Sequence, residues 1–187
     1  MDKELLKKKG IIHSHMDKLL AEDYSNEVLD KIQGIKKWVM SSKVKSQVFL
    51  FGTKGTGKSF VAETALIEAL KNSIPSRRIV WNDLVGEIQE NYNQFPDKYH
   101  YDKVLFIDNF KKIDSKAYQV ALSYLKIKHE EGVKLVIAMT VDSIKNVPID
   151  FRDSIGSVCI AIGFHGPNLN EEQIASDFKE VFGGKQC

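Results

Sequence analysis

Arginine is scarce in this chain. Of 27 basic residues only Arg77, Arg78 and Arg152 are not lysine. Any task that needs a planar, bidentate guanidinium therefore has three candidates. That shortage argues against a small-molecule kinase with an arginine-rich lid. Cysteine is scarcer still: Cys159 lies in an apolar run and Cys187 is the last residue. Two such cysteines do not suggest a disulfide framework, and a reducing, cytoplasmic setting is the expectation. The five histidines have no Cys or His partners at metal-ligand spacing, so His13 and His15 read as surface histidines rather than ligands. No apolar run approaches the ~20 residues of a membrane span. The start, MDKELLKKKG, has charge but no apolar stretch after it, so a secretory signal is not expected. A net charge of +2 does not by itself demand a nucleic-acid partner.

What is present is a regular alternation. Strand-like runs occur at QVFLF (47–51), RRIVW (77–81), KVLFID (103–108), KLVIAMT (134–140) and VCIAIGF (158–164). They are nearly continuous apolar runs, as expected of parallel strands covered on both faces. Helical spacing fills the gaps. Val61, Ala62, Ala65, Leu66, Ala69 and Leu70 recur between Lys58 and Lys71. Asp114 is placed to cap a helix with Ala117, Tyr118, Ala121, Leu122 and Leu125 on its inner stripe. Ser25 is placed to cap an earlier one carrying Val28, Leu29, Ile32, Ile35 and Val39. All four prolines fall outside these elements. The reading is one α/β domain over 1–187: a helical lead-in (1–45), a core (46–165) and a C-terminal helix (166–187).

Directly after the first strand comes Gly52-Thr53-Lys54-Gly55-Thr56-Gly57-Lys58-Ser59. This satisfies G-x-x-x-x-G-K-[ST] in a strand–loop–helix context. Glycines let the backbone turn so that its N–H groups face phosphate oxygens, and the following helix N-terminus adds a positive end. Lys58 would reach the β- and γ-phosphates of ATP or ADP, and Ser59 would ligate Mg²⁺. At ordinary glycine usage a chance match is expected about 0.01 times in a chain this long. The other half of such a site belongs at the C-terminal end of a neighbouring parallel strand. VLFIDNF puts Asp108 there as the second Mg²⁺ residue, with a helix-capping or turn aspartate as the plainer alternative.

With both motifs placed, the chain resembles the DnaC/DnaI-type replicative helicase loaders and IstB-type transposition helper ATPases of the AAA+ class. The likeness runs from about Gly10 to Asn170. GIIHSHMDKLLAEDY resembles the family's N-terminal segment, with Ile12 where a proline is usual. FGTKGTGKSFVAETALIEAL resembles Walker A and its helix; RIVWNDLVGEIQENY a strand and a helix beginning with an aspartate–leucine pair; KVLFIDNF Walker B; and KLVIAMTVDSIKNVP the sensor strand. The resemblance implies a P-loop NTPase three-layer sandwich with a five-stranded parallel sheet, helices on both faces and little or no C-terminal lid. It also implies homo-oligomeric assembly and contact with single-stranded DNA and a replicative helicase or other replication protein.

Three positions depart from that pattern. Asn109 replaces the usual second acid; an amide orients water but accepts no proton at neutral pH, so slow ATP hydrolysis is expected. Val141 falls where the sensor asparagine is usual, leaving Thr140 as the nearest γ-phosphate contact or a purely structural strand end. Asn170 falls where relatives often place an arginine. Arg152, in PIDFRDSIG, matches the arginine finger, or else is a surface arginine paired with Asp150 or Asp153. Arg77 and Arg78 open the second strand at the end remote from the nucleotide, so Arg152 has no rival. Lysines cluster at 7–9, 36–37, 43–45, 111–112 and 126–128, and Lys111, Lys112, Lys126 and Lys128 are the DNA-contact candidates. The expectation is an ATP-binding, helicase-loader-like protein of DNA replication. A transposition helper and a non-catalytic, nucleotide-dependent interaction module are the alternatives.

Overall fold

The computed structural model describes residues 2–22, 24, 26–41, 47–92 and 94–164. Three helices lead in: α1 (Lys3–Lys8), α2 (Met16–Ala21) and α3 (Asn26–Met40). The core then alternates β1 (Gln47–Gly52), α4 (Lys58–Lys71), β2 (Ser76–Val80), α5 (Trp81–Glu90), β3 (Val104–Phe110), α6 (Lys116–Glu130), β4 (Lys134–Thr140), α7 (Ile149–Ser154) and β5 (Cys159–Phe164). Ser25, Lys43, Lys45, Asn170, Cys187 and the expected C-terminal helix lie outside the described residues.

The strands form one parallel sheet in the order β2-β3-β4-β1-β5. Successive side chains on a strand point to opposite faces, and both faces here are covered. Phe49, Phe51, Leu105, Ile107, Leu135, Ile137 and Met139 face one core with α5, α6 and α7. Val48, Leu50, Val104, Phe106, Val136 and Ala138 face the other with α3, α4 and the lead-in. This double burial is why the strands read as continuous apolar runs, and it gives the three layers expected.

Strand ends differ from the sequence reading by one or two residues, β3 running on to Phe110 rather than ending at Asp108, and two differences have a clear cause. Trp81 belongs to α5, not to the second strand, so this helix starts two residues before the Asp83–Leu84 pair. Its ring is fully buried against Phe110 and Tyr118, and its indole N–H donates to the Lys111 carbonyl at 2.9 Å. That burial overrides the β preference of an aromatic residue. The cap of α6 is Ser115 rather than Asp114: its extended backbone lets its hydroxyl accept from the Tyr118 N–H at 3.1 Å. Among the described residues no helix is long and apolar enough to cross a membrane.

Candidate nucleotide site

The parallel order puts the C-terminal ends of β1, β3 and β4 side by side, and the loop after β1 closes over them. A cleft of about 290 Å³ opens there. It is lined by the loop from Lys54 through Ser59, by Phe60, by Asp108 and Asn109 of β3, and by Ala138 and Thr140 of β4. Most of the motif residues thus meet in one place, as the sequence spacing implies.

The loop is held from within. Thr56 Oγ1 donates to the Thr53 carbonyl at 3.0 Å. Lys58 Nζ donates to the carbonyls of Gly52 at 2.9 Å and Thr53 at 2.6 Å. Burial pulls the Lys58 ammonium below its usual range, and the nearby Asp108 carboxylate opposes that shift. Gly57 precedes α4 with φ +88°.

Asp108 is nearly sealed from solvent and accepts on both oxygens. Oδ1 takes the Ser59 hydroxyl at 3.0 Å and the Asn109 N–H at 2.9 Å. Ser59 and one Asp108 oxygen therefore form a hard-oxygen pair that fits Mg²⁺. Asn109 sits at φ +57°, at a register shift between Ile107 and Phe110, with its side chain exposed to the cleft. Asparagine tolerates that left-handed backbone better than most residues.

The other Asp108 oxygen is taken by Arg78, which is thus not at the end remote from the nucleotide, where the sequence reading puts it. Arg78 donates to Oδ2 through Nη2 at 2.6 Å and Nε at 3.0 Å. Arg77 does stay at the remote end, paired with Asp102 at 2.9 Å. Arg78 pairs across the sheet with Phe106, two residues before Asp108 on the same face. Two strand residues span about 6.6 Å, within an arginine's reach. Arg78 is also tied to the Gly10 carbonyl at 3.1 Å, and its Nε lies 3.9 Å from Glu63.

Glu63, in the middle of α4, is fully buried. Burial pushes its carboxyl above the ordinary range, opposed by the Ile12 N–H, His15 and Arg78. The Ile12 N–H reaches it at 2.8 Å and His15 Nδ1 at 2.6 Å. His15 is therefore no plain surface histidine: it lines the cleft and packs edge-on to Phe60. Among the described residues no group of three or more His, Cys, Asp or Glu could hold a metal. Opposite charges on the inward faces of largely apolar elements, Glu63 in VAETALIEAL and Arg78 in RRIV, were the signal available for this network.

The remaining candidates divide. Thr140 pairs with Gly52 in register and borders the cleft, whereas Val141 packs against the core. Arg152 lies on α7 outside the cleft lining, and its Nε is buried without a hydrogen-bond partner among the described residues. Lys111 and Lys112 are exposed just past β3, and Lys126 is exposed on α6. Lys128 is not available to a phosphate backbone. Its side chain is 2% exposed and its ammonium donates to Glu131 at 2.6 Å. Ten residues of helix, about 15 Å, separate Lys126 from the start of α6, so it does not extend the Lys111–Lys112 patch.

Comparison with known proteins agrees with this geometry. Residues 48–156 match the model of the ATPase family associated with various cellular activities (AAA). Comparison with curated proteins finds no match. AMPPCP-bound DnaA from Aquifex aeolicus superposes with a TM-score of 0.60 at 14% identity, over 88% of this chain and 55% of that one. This chain thus spans about half the length of that initiator. Domain III of the Thermotoga maritima replication initiation protein DnaA gives 0.57 at 17% identity, covering 88% and 73%. The DnaC helicase loader gives 0.56 at 14%, covering 92% and 90%. At these identities the likeness is one of fold.

Proposed function

Because the chain belongs to the ATPase family associated with various cellular activities, we propose that it binds ATP with Mg²⁺ in this cleft and acts in DNA replication as a helicase-loader-like factor. One observation carries the reading: Lys58, Ser59 and Asp108 converge at the C-terminal ends of β1 and β3, and the residue beside Asp108 is an amide. The loop N–H groups and α4 would cradle the phosphates, with Lys58 transferring its ammonium from the loop carbonyls to the β- and γ-phosphate oxygens. Ser59 and Asp108 Oδ1 would hold the magnesium, which when bound neutralises charge on those oxygens. Asn109 and Thr140 border the place of the terminal phosphate, and Asn109 can orient water but not take its proton. Turnover would accordingly be slow, and binding itself would switch assembly. Arg152, exposed in part and with its buried Nε without a partner among the described residues, would act on a neighbouring subunit's nucleotide. Lys111 and Lys112, exposed just past β3, would contact single-stranded DNA.

Asn109 also favours a second reading, a non-catalytic module whose partner surface responds to nucleotide. The test is to measure ATP and ADP affinity together with turnover, with and without single-stranded DNA, for the natural chain and Lys58→Ala. The proposal expects tight binding lost in Lys58→Ala, turnover well below about 1 s⁻¹, and a change in assembly or affinity with DNA. Binding without any response to DNA would favour the second reading.

A further inference from the structure

We infer that Arg78 is a resident counter-charge to Asp108, a positioning residue that lets nucleotide bind with little dependence on divalent cation. The inference rests on the nucleotide-binding reading above and concerns how that same site is balanced electrically.

Three features carry it. The contact is bidentate, with two guanidinium nitrogens on one carboxylate oxygen at 2.6 and 3.0 Å. Arg78 is also immobilised: its side chain is 15% exposed, its Nη1 donates to the Gly10 carbonyl at 3.1 Å, and the buried Glu63 carboxylate lies 3.9 Å from its Nε. Glu63 in turn is anchored by the Ile12 N–H and His15, so the cation is built into the fold rather than leaning in from the surface. Finally, the second Asp108 oxygen remains turned to Ser59 and the cleft.

The consequence follows from charge. A bare carboxylate beside a triphosphate repels it, and a divalent cation ordinarily relieves that repulsion. Here a protein cation sits on the carboxylate permanently, in a poorly solvated place where its effect is little screened. Phosphate oxygens entering the cleft meet Lys58 and an Asp108 whose charge is already balanced. The same pairing on Oδ2 withdraws charge from the carboxylate as a whole, so Oδ1 would hold magnesium less tightly and the natural chain gains less from adding it.

The experiment compares the affinity of the full chain for a fluorescent ATP analogue in excess magnesium and in EDTA. The ratio of the two dissociation constants is expected to lie below about threefold. Arg78→Gln should raise the ratio at least tenfold, about 1.4 kcal/mol, chiefly by weakening the EDTA value. Arg78→Lys, which keeps the charge but loses the fork, should fall between. A merely structural arginine would weaken both affinities alike and leave the ratio unmoved, and that result overturns the inference. Should Arg78→Gln fail to fold, Glu63→Gln/Arg78→Gln removes Arg78 together with the buried carboxylate beside it, leaves Asp108 in place, and is judged by the same ratio. A natural chain that binds the analogue in neither condition would overturn the nucleotide-site reading itself. That failure is distinct from an unchanged ratio in a chain that binds.

Discussion

Replacing Gly52 by alanine tests the tightest point of the site. A Cβ built at Gly52 would lie 1.9 Å from the Phe164 carbonyl oxygen and 2.8 Å from its carbon, where real Cβ contacts stay beyond 3.0 Å. The obstacle is the backbone of β5, paired in register with Gly52, so no side chain can swing aside. The two strands must part by roughly an ångström. Overpacking of this kind costs about 1–3 kcal/mol, and a weakened ladder hydrogen bond adds about 0.5–1.5 kcal/mol. The backbone at φ +143° adds strain of about 1–3 kcal/mol for a residue with a side chain. A total near 5 kcal/mol, roughly the centre of these ranges, corresponds to a melting-temperature loss of about 15 °C for a chain of this size. Gly57→Ala is the internal control: φ is +88° but a Cβ there meets nothing within 4 Å. It carries only the left-handed penalty of about 1–2 kcal/mol, or roughly 3–6 °C. Thermal melting by circular dichroism reads both. If Gly52→Ala melts no lower than Gly57→Ala, β1 and β5 do not approach at Gly52 and Phe164 closely enough to exclude a Cβ.

Other outcomes follow from single contacts. Asn109→Asp restores a proton acceptor beside Asp108 and should raise ATP turnover by at least about tenfold, general-base catalysis being worth about 10²–10⁴; a natural chain already turning over at the mutant's rate would refute the slow-hydrolysis reading. Lys111→Ala/Lys112→Ala should flatten the salt dependence of single-stranded DNA binding by about 1.4 in log–log slope, about 0.7 for each lost phosphate contact. Lys128→Ala should leave that slope alone, because its ammonium is already paired with Glu131; a slope lowered by Lys128→Ala would contradict its burial. Cys159 is buried with its thiol donating to the Ile155 carbonyl at 3.3 Å, and burial pushes its pKa up. In a Cys187→Ser variant, thiol labelling at mildly alkaline pH should therefore proceed only as fast as the fold opens, and rapid labelling of the native chain would show the site to be open.

The sheet and its phosphate loop were legible because their signals are local. Continuous apolar runs, helical spacing and an eight-residue motif each need only neighbouring positions. The parallel sheet, α4 from Lys58 to Lys71 and β4 from Lys134 to Thr140 appear where those patterns put them. Boundaries slipped where a tertiary contact outweighed a local preference, as when the Trp81 ring went into the core and its backbone into a helix.

What only the tertiary structure decided was lateral. Strand order brings β2 beside β3, and register sets Arg78 one side-chain length from Asp108, 30 residues away in sequence. Position along the strand suggested a remote arginine; an extended guanidinium crossing to the next strand removed the distance. The same holds for Glu63 and His15, and for Lys128, whose place in a lysine-rich run said nothing of its burial. Periodicity tells which face a residue occupies, but the partner it meets on that face depends on which elements the fold lays alongside.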